Sequence, residues 1–184
     1  MASFPLESAL AIGLGANSCS SHGSPGSTLR WIAPRLGEWL VAWGDADARD
    51  VRCSSFLTTQ PIGGPPGQDA YCNAVLLLIH VQRPPSELAA LELLEHLQRL
   101  ELSCGRDRQR EQRWGPRPLD LDLLFWGELR LEHSRLSCPI RGCTYAALCW
   151  SRFFRRCRAL TRHAGDPSRP ISWRRCRPRS LLSS

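Results

Sequence analysis

The chain contains no lysine, so all 24 of its basic residues are arginine. No apolar run approaches the ~20 residues that a membrane span needs. The N-terminus lacks a basic stretch followed by an apolar core, so no secretory signal is read and the cytoplasm is the expected location. No Cys-x-x-Cys pair occurs among the nine cysteines, and the spacings of Cys138, Cys143 and Cys149 match no common zinc pattern. All nine therefore read as free thiols in a reducing compartment. The fuller dinucleotide-binding fingerprint is missing around Gly13-Leu14-Gly15-Ala16-Asn17. What is present is 184 residues, a length that suits one domain with a sizeable core.

The net charge of +7 is unevenly placed. Residues 1–136 hold 13 Arg against 16 Asp and Glu, or −3, whereas residues 137–184 hold 11 Arg against the single Asp166, or +10. Five of the nine cysteines also fall in that last segment. The basic character belongs to one segment, not to the whole chain.

Residues 8–13 form a short apolar run that predicts a buried first strand, with a turn predicted over Gly13-Leu14-Gly15-Ala16-Asn17. Residues 18–27 are rich in Ser and Gly and read as a loop. Leu29, Ile32, Leu36 and Leu40 recur at steps of three and four, predicting a helix over 27–43 that Gly44-Asp45 ends. A second strand is predicted over 51–57, before the Pro/Gly-broken segment 59–67. Residues 72–81 are nearly continuously apolar and predict a buried third strand. Pro84-Pro85-Ser86-Glu87 opens a predicted second helix that lasts to about Cys104, with Leu93, Leu97 and Leu100 on its buried face and Gly105 as its stop. An arginine-rich loop, a strand to Trp126 and a short strand over 129–131 complete the order strand, helix, strand, strand, helix, strand.

The most informative stretch is Arg113-Trp114-Gly115-Pro116-Arg117-Pro118-Leu119-Asp120-Leu121-Asp122-Leu123-Leu124. Leu119, Leu121 and Leu123 alternate with Asp120 and Asp122, so a strand here puts both carboxylates on one face. Paired carboxylates repel, and each pKa rises unless a cation neutralises them. Mg²⁺ is the usual partner, since it takes one or two carboxylates together with substrate phosphates. Just upstream, Arg106, Arg108, Arg110, Arg113 and Arg117 offer guanidinium forks suited to phosphate oxygens. The combination describes a phosphoryl-transfer site. The plainer alternative is the solvated face of an edge strand beside a soluble loop.

The joined stretch resembles the signature of the 6-hydroxymethyl-7,8-dihydropterin pyrophosphokinase family, Arg-Trp-Gly-Pro-Arg-x-Leu-Asp-Leu-Asp and two hydrophobic residues, with Pro118 at the variable position. Gly15-Ala16-Asn17 is similar to the family's Gly-x-Asn, and Tyr71-Cys72-Asn73 to its Tyr-x-Asn. The resemblance covers roughly residues 8–137. It implies an α+β fold: a ferredoxin-like antiparallel sheet with helices packed on it. It also implies ATP-dependent diphosphoryl transfer to 6-hydroxymethyl-7,8-dihydropterin in tetrahydrofolate synthesis, with AMP released. By that resemblance, Asp120 and Asp122 hold two Mg²⁺, Arg106 and Arg117 act on the transferring group, and Arg108 and Trp114 belong to the ATP loop. Thr59, Ile62, Tyr71 and Asn73 then form the pterin pocket. The Asn73 amide, offering both donor and acceptor, suits the paired edge of a pterin. ATP and the pterin are the expected partners, with no nucleic acid and no membrane. The spacing between Arg108 and Arg113 is one residue longer than the family pattern.

The resemblance stops after Arg135-Leu136-Ser137, where the family continues with Pro-His and then Arg-x-Phe. Residues 138–184 are Arg/Ser/Pro-rich without sustained period, a composition that buries too little surface to order itself. Permitted codons for these residues, read one base out of frame from Ser137, spell Leu-Pro-His-Pro-Arg-Leu-His-Leu-Arg-Arg-Phe, the family's own continuation. The expectation is a pyrophosphokinase domain over 1–137, incomplete at its end, and an aberrant, poorly structured tail over 138–184 produced by one missing base. Two alternatives stand beside an active enzyme: an inactive frameshifted product, and a genuine arginine tail for nucleic acid or membrane lipid.

Overall fold

A computed structural model describes residues 6–61, 63–133 and 136–138. The first strand, β1 (Leu10–Ala16), is buried at all but one position. It runs straight through Gly13 and Gly15, so the turn expected there begins only at Asn17. Glycine is tolerated inside this strand because neighbours occupy the space a side chain would take: a Cβ on Gly13 would lie 3.2 Å from Leu124 Cδ2, and one on Gly15 3.0 Å from Asn73 Oδ1.

Helix α1 (Pro25–Gly44) follows, opened by a proline in its first turn and closed by Asp45 in the left-handed conformation, whose φ is 49°. Its stripe of Leu29, Ile32, Leu36 and Leu40 is fully buried, as the spacing requires. Pro34 lies inside the helix. There it removes one backbone donor, and burial of the stripe around it sustains the helix.

The expected second strand is two short ones, β2 (Val51–Cys53) and β3 (Leu57–Thr59), both paired with β4 (Tyr71–Leu78). Cys53 faces Leu76 and Leu57 faces Asn73, so this side carries one residue more than its partner between those pairs. That is a bulge. Ser54 stabilises it: its amide donates to the Val75 carbonyl at 2.9 Å, and its hydroxyl accepts from the Val75 amide at 2.9 Å.

Helix α2 (Glu87–Ser103) begins after the two prolines, with the Ser86 hydroxyl accepting from the Ala89 amide at 3.2 Å. Strand β5 (Asp120–Trp126) then pairs with β1, and β6 (Leu131–His133) with β7 (Leu136–Cys138) forms a separate hairpin. The short strand expected over 129–131 is shifted because Leu129 is used in the turn, where its amide donates to the Trp126 carbonyl at 3.0 Å.

The main sheet is antiparallel throughout, in the order β2-β4-β1-β5 with β3 beside β4. Counting β2 and β3 as one interrupted strand, this is the ferredoxin-like arrangement. Leu10, Ile12 and Leu14 of β1 join Leu76, Leu78, Leu121, Leu123, Trp126 and both helix stripes in one core. The alternate residues Ala9 and Ala11 join Leu77 and Ile79 in a smaller cluster on the opposite side. Among the described residues no helix is long and apolar enough to cross a membrane. Ile62 and residues 139–184, and with them the expected disorder of the tail, lie outside the described residues.

The two helices are joined at their surface by His96, which stacks on Trp39 with ring centroids 3.6 Å apart and planes 5° from parallel. Burial, and then the charge of Arg99, holds the imidazole below its ordinary pKa. The folded state thus prefers neutral His96, and the unfolded chain takes up a proton first as the pH falls. The stabilisation is present above the unfolded pKa of about 6.5 and is lost below it. Urea midpoints compared at pH 7.5 and pH 5.5 should fall less for His96→Phe than for the parent chain. Equal falls would show that this stack carries no pH-linked stability.

Candidate active site

The register of three strands builds an open row. Gly15 is paired with Asn73 on one side and with Asp120 on the other, and Gly13 stands likewise between Val75 and Asp122. Paired residues point to the same side of a sheet. Both carboxylates therefore lie on the face away from the helices, with Asn73 across a floor that has no side chain at Gly15. Asn73 Nδ2 donates to Thr59 Oγ1 at 2.8 Å, and Thr59 is the partner of Tyr71 in the ladder. Thr59, Tyr71, Asn73, Asp120 and Asp122 thus meet at one end of the sheet.

The arginines reach that end from the loop after α2. Arg106 is 3% exposed. Its Nη1 donates to Glu101 Oε1 at 2.6 Å and to Asp120 Oδ1 at 2.5 Å, and its Nε and Nη2 donate to the two oxygens of Glu111 at 2.7 and 3.1 Å. Arg117 Nη1 donates to Asp120 Oδ2 at 2.7 Å, so each oxygen of Asp120 meets a guanidinium. Arg108, half exposed, places Nε and Nη2 on Glu101 Oε2 at 3.1 and 2.5 Å.

Glu101, in the last turn of α2, is the hub. Besides both arginines it accepts the Leu121 amide at 2.8 Å. Burial pushes its pKa up, while those donors pull the other way. Burial would also lower the pKa of Arg106, yet its pairs with Glu111, Asp120 and Glu101 leave it raised. Every partner of the two Glu101 oxygens is a donor, so the anion is the form that this geometry accepts. Asp122 is pushed up to about 7, first by the protein packed around its carboxyl and then by the charges of Asp120 and Glu101. Its side chain opens to solvent, which makes the like-charge repulsion the sturdier cause.

The loop is docked as well as charged. The Asn17 and Ser18 amides donate to the Arg117 carbonyl at 3.0 and 3.1 Å, and the Arg117 amide donates to Asn17 Oδ1 at 2.7 Å. Asn17 Nδ2 also reaches the Asp69 carbonyl at 3.2 Å, and Gln68 Nε2 donates to the Trp114 carbonyl at 3.0 Å. Trp114 lies over Gly63, where a Cβ would come 2.7 Å from its ring. Gly63 and Gly64 have φ of 80° and 83°, so both the space and the backbone there require glycine. An open pocket beside this contact is lined by Gly64, Arg113 and Trp114.

Arg106 and Arg117 therefore meet the strand residues at Asp120, whereas Arg108 reaches Glu101 and Trp114 lies over Gly63, and Ile62 lies outside the described residues. The sequence reading missed Glu101, Glu111 and Gln68, and it gave Asn17 no role beyond its motif. Glu101 had a signal, because it falls one helical step of four beyond Leu97 on the apolar stripe, where a charge needs partners. Among the described residues no group of three or more His, Cys, Asp or Glu could hold a metal ion. The oxygen donors on this face are Asp122, which opens to solvent, and Asp120, whose two oxygens now rest on Arg106 and Arg117; two carboxylates on one strand face are of the kind a Mg²⁺ takes together with phosphate and water.

The family model described as 7,8-dihydro-6-hydroxymethylpterin-pyrophosphokinase matches residues 11–143. The chain belongs to this family. It is similar to the 2-amino-4-hydroxy-6-hydroxymethyldihydropteridine pyrophosphokinase of Haemophilus influenzae, 43% identical over 48% of this chain and 50% of that protein. The namesake from Pseudomonas aeruginosa is 41% identical over 50% of this chain and 52% of its own length. The one from Pseudomonas putida is 37% identical over 62% of this chain and 88% of its own. The chain thus spans about half the length of several curated relatives that it matches.

The hub makes a stability prediction. Glu101→Leu leaves Arg106 and the Leu121 amide short of a buried partner and should cost about 3–5 kcal/mol in urea unfolding. A loss below about 1 kcal/mol, the range of exposed pairs, would show that Glu101 does not organise this end of the fold.

Proposed function

We propose that the chain carries out ATP-dependent diphosphoryl transfer to 6-hydroxymethyl-7,8-dihydropterin, releasing AMP, as a cytoplasmic enzyme of folate synthesis. The observation that carries this reading is the pair Asp120 and Asp122 on one strand face, with the guanidiniums of Arg106 and Arg117 on Asp120 and with Asn73 across Gly15. In the reaction, the hydroxymethyl oxygen attacks the β-phosphorus of ATP. The bond from that phosphorus to the α,β-bridging oxygen breaks, the bridging oxygen leaves with AMP, and the hydroxyl proton is lost to water.

Asp120 and Asp122 would hold two Mg²⁺, which supply charge neutralisation for the polyphosphate. Arg117 and Arg106 stand beside Asp120, where negative charge develops on the transferring group. Arg108 and Trp114 act on ATP from the loop. Thr59, Tyr71 and Asn73, with Ile62, take the pterin. Asn73 and Thr59 already form a hydrogen-bonded pair, so the Asn73 amide is oriented before the ring arrives. The free thiols of Cys19, Cys72 and Cys104 suit a reducing compartment.

Asp122 gives the cleaner test of the metal pair, since its side chain is solvent-open whereas Asp120 is held by two arginines. Asp122→Ala should abolish Mg²⁺-dependent AMP release in the presence of the pterin and leave the urea midpoint nearly unchanged. Full Mg²⁺-dependent turnover in this variant would remove the carboxylates from the reaction.

The proposed domain is residues 1–137, followed by a segment in a changed reading frame. The codon arithmetic supports this boundary, and the family match ends close to it, at residue 143. Inserting one base after the codon for Ser137 should install the family's Pro-His and Arg-x-Phe segment and raise AMP release well above that of the chain as it stands. Unchanged or lower activity on insertion would refute the frame change.

A further inference from the structure

The guanidinium of Arg106 is almost fully used. Of its five N–H groups, two on Nη1 serve Glu101 and Asp120, while Nε and one on Nη2 serve Glu111. The three carboxylates differ in how firmly they are placed. The Glu101 side chain is 1% exposed and is pinned by Arg108 and the Leu121 amide as well. Asp120 sits on β5 and is shared with Arg117. Glu111 lies in the arginine loop itself, and its amide is held only locally, donating to the Asp107 carbonyl at 3.1 Å.

Glu111 also takes the most useful edge of Arg106. Nε and Nη2 form the side-on fork that grips two oxygens of one anion, whether carboxylate or phosphate. One fork holds one anion at a time. We infer that Glu111 sets the affinity for the nucleotide, because its carboxylate occupies the Nε–Nη2 fork of Arg106 that a phosphate of ATP must take. This inference rests on the pyrophosphokinase reading, which supplies the ligand. Glu111 is thus an internal competitor of the polyphosphate. Removing its charge frees the fork while Glu101 and Asp120 keep Arg106 in place.

The experiment is calorimetric titration of the full chain with a non-hydrolysable ATP analogue and Mg²⁺, for the parent, Glu111→Gln and Glu111→Asp. Pterin titration and urea unfolding are run alongside. Glu111→Gln should bind the analogue roughly tenfold more tightly, the equivalent of one charge-assisted pair no longer broken on binding. Glu111→Asp, which keeps the charge on a shorter stem, should tighten less, and pterin affinity should be unchanged in both. A general loosening of the loop would weaken the analogue or move both ligands together, and either result overturns the proposal. So does analogue affinity equal to the parent's in both variants. If Glu111→Gln fails to fold, Glu111→Asp decides alone: any tightening supports the competitor and none overturns it. Failure of the folded parent to bind Mg²⁺ with the analogue would sink the pyrophosphokinase reading itself, and the inference with it.

Discussion

The open end of the sheet depends on one buried ion pair, between Glu101 in the last turn of α2 and Arg106 just beyond it. Both side chains are at most 2% exposed. Taking two charges out of water costs more than their attraction returns unless other groups complete their hydrogen bonding. Here completion comes from particular places: the Leu121 amide and Arg108 on the acid, and Asp120 and Glu111 on the base. The pair therefore has low energy only when the end of α2, the start of β5 and the arginine loop are all in position. Conversely, Asp120 is oriented by a guanidinium that is itself anchored in the helix layer. The orientation of Asp120 is thus tied to the core through Arg106 as well as to the end of the loop through Arg117.

A second constraint acts from the other side of the sheet. β1 is the central strand, so any side chain on its open face would fill the gap between β4 and β5. Gly15 leaves that space to the Asn73 amide, whose Oδ1 lies 3.0 Å from where a Cβ would stand, with Asp120 on the other side. Immediately afterwards Asn17, only 2% exposed, ties the strand end to Arg117 and to the Asp69 carbonyl. The three residues Gly15-Ala16-Asn17 hence do two jobs, making room for Asn73 and fastening two loops at the strand end. The burial of Asn17 is affordable because backbone groups satisfy its amide.

Features carried by short-range pattern were legible in the sequence. The stripe of α1, the alternation that puts Asp120 and Asp122 on one face, and the order of the elements all follow from periodicity. The resemblance singled out Arg106, Arg117, Tyr71 and Asn73, and the strand register with the Asp120 ion pairs brings them to one end of the sheet. What escaped depends on contacts between distant segments. The bulge at Ser54 exists because β4 offers one residue fewer than β2 and β3 together, which neither segment reveals alone. Continuation of β1 through its glycines depends on Leu124 and Asn73 filling the vacated volume. The role of Glu111 depends on a loop conformation that brings it back onto Arg106 after a separation of five residues.

These anchors also determine which part of the arginine loop can move independently. Its beginning is fastened to α2 through Arg106 and Arg108 on Glu101. Its end is fastened to β1 and to the 68–69 segment through Arg117 and Asn17, and Trp114-Gly115 rests on Gln68, Tyr71 and Gly63. Beyond Arg108, residues 109–112 are joined mainly to their neighbours in the loop: the Arg110 and Glu111 amides both donate to the Asp107 carbonyl at 3.1 Å, and the Gly115 amide donates to the Gln112 carbonyl at 2.9 Å. Described contacts of this local kind open at low free energy, whereas lifting the whole loop would break the Glu101 hub. The span 109–112 is the natural hinge, and its described side-chain tie to the core is Glu111 on Arg106. Any motion that opens this span also takes the competing carboxylate off the fork, so access to the site and release of Arg106 are one movement.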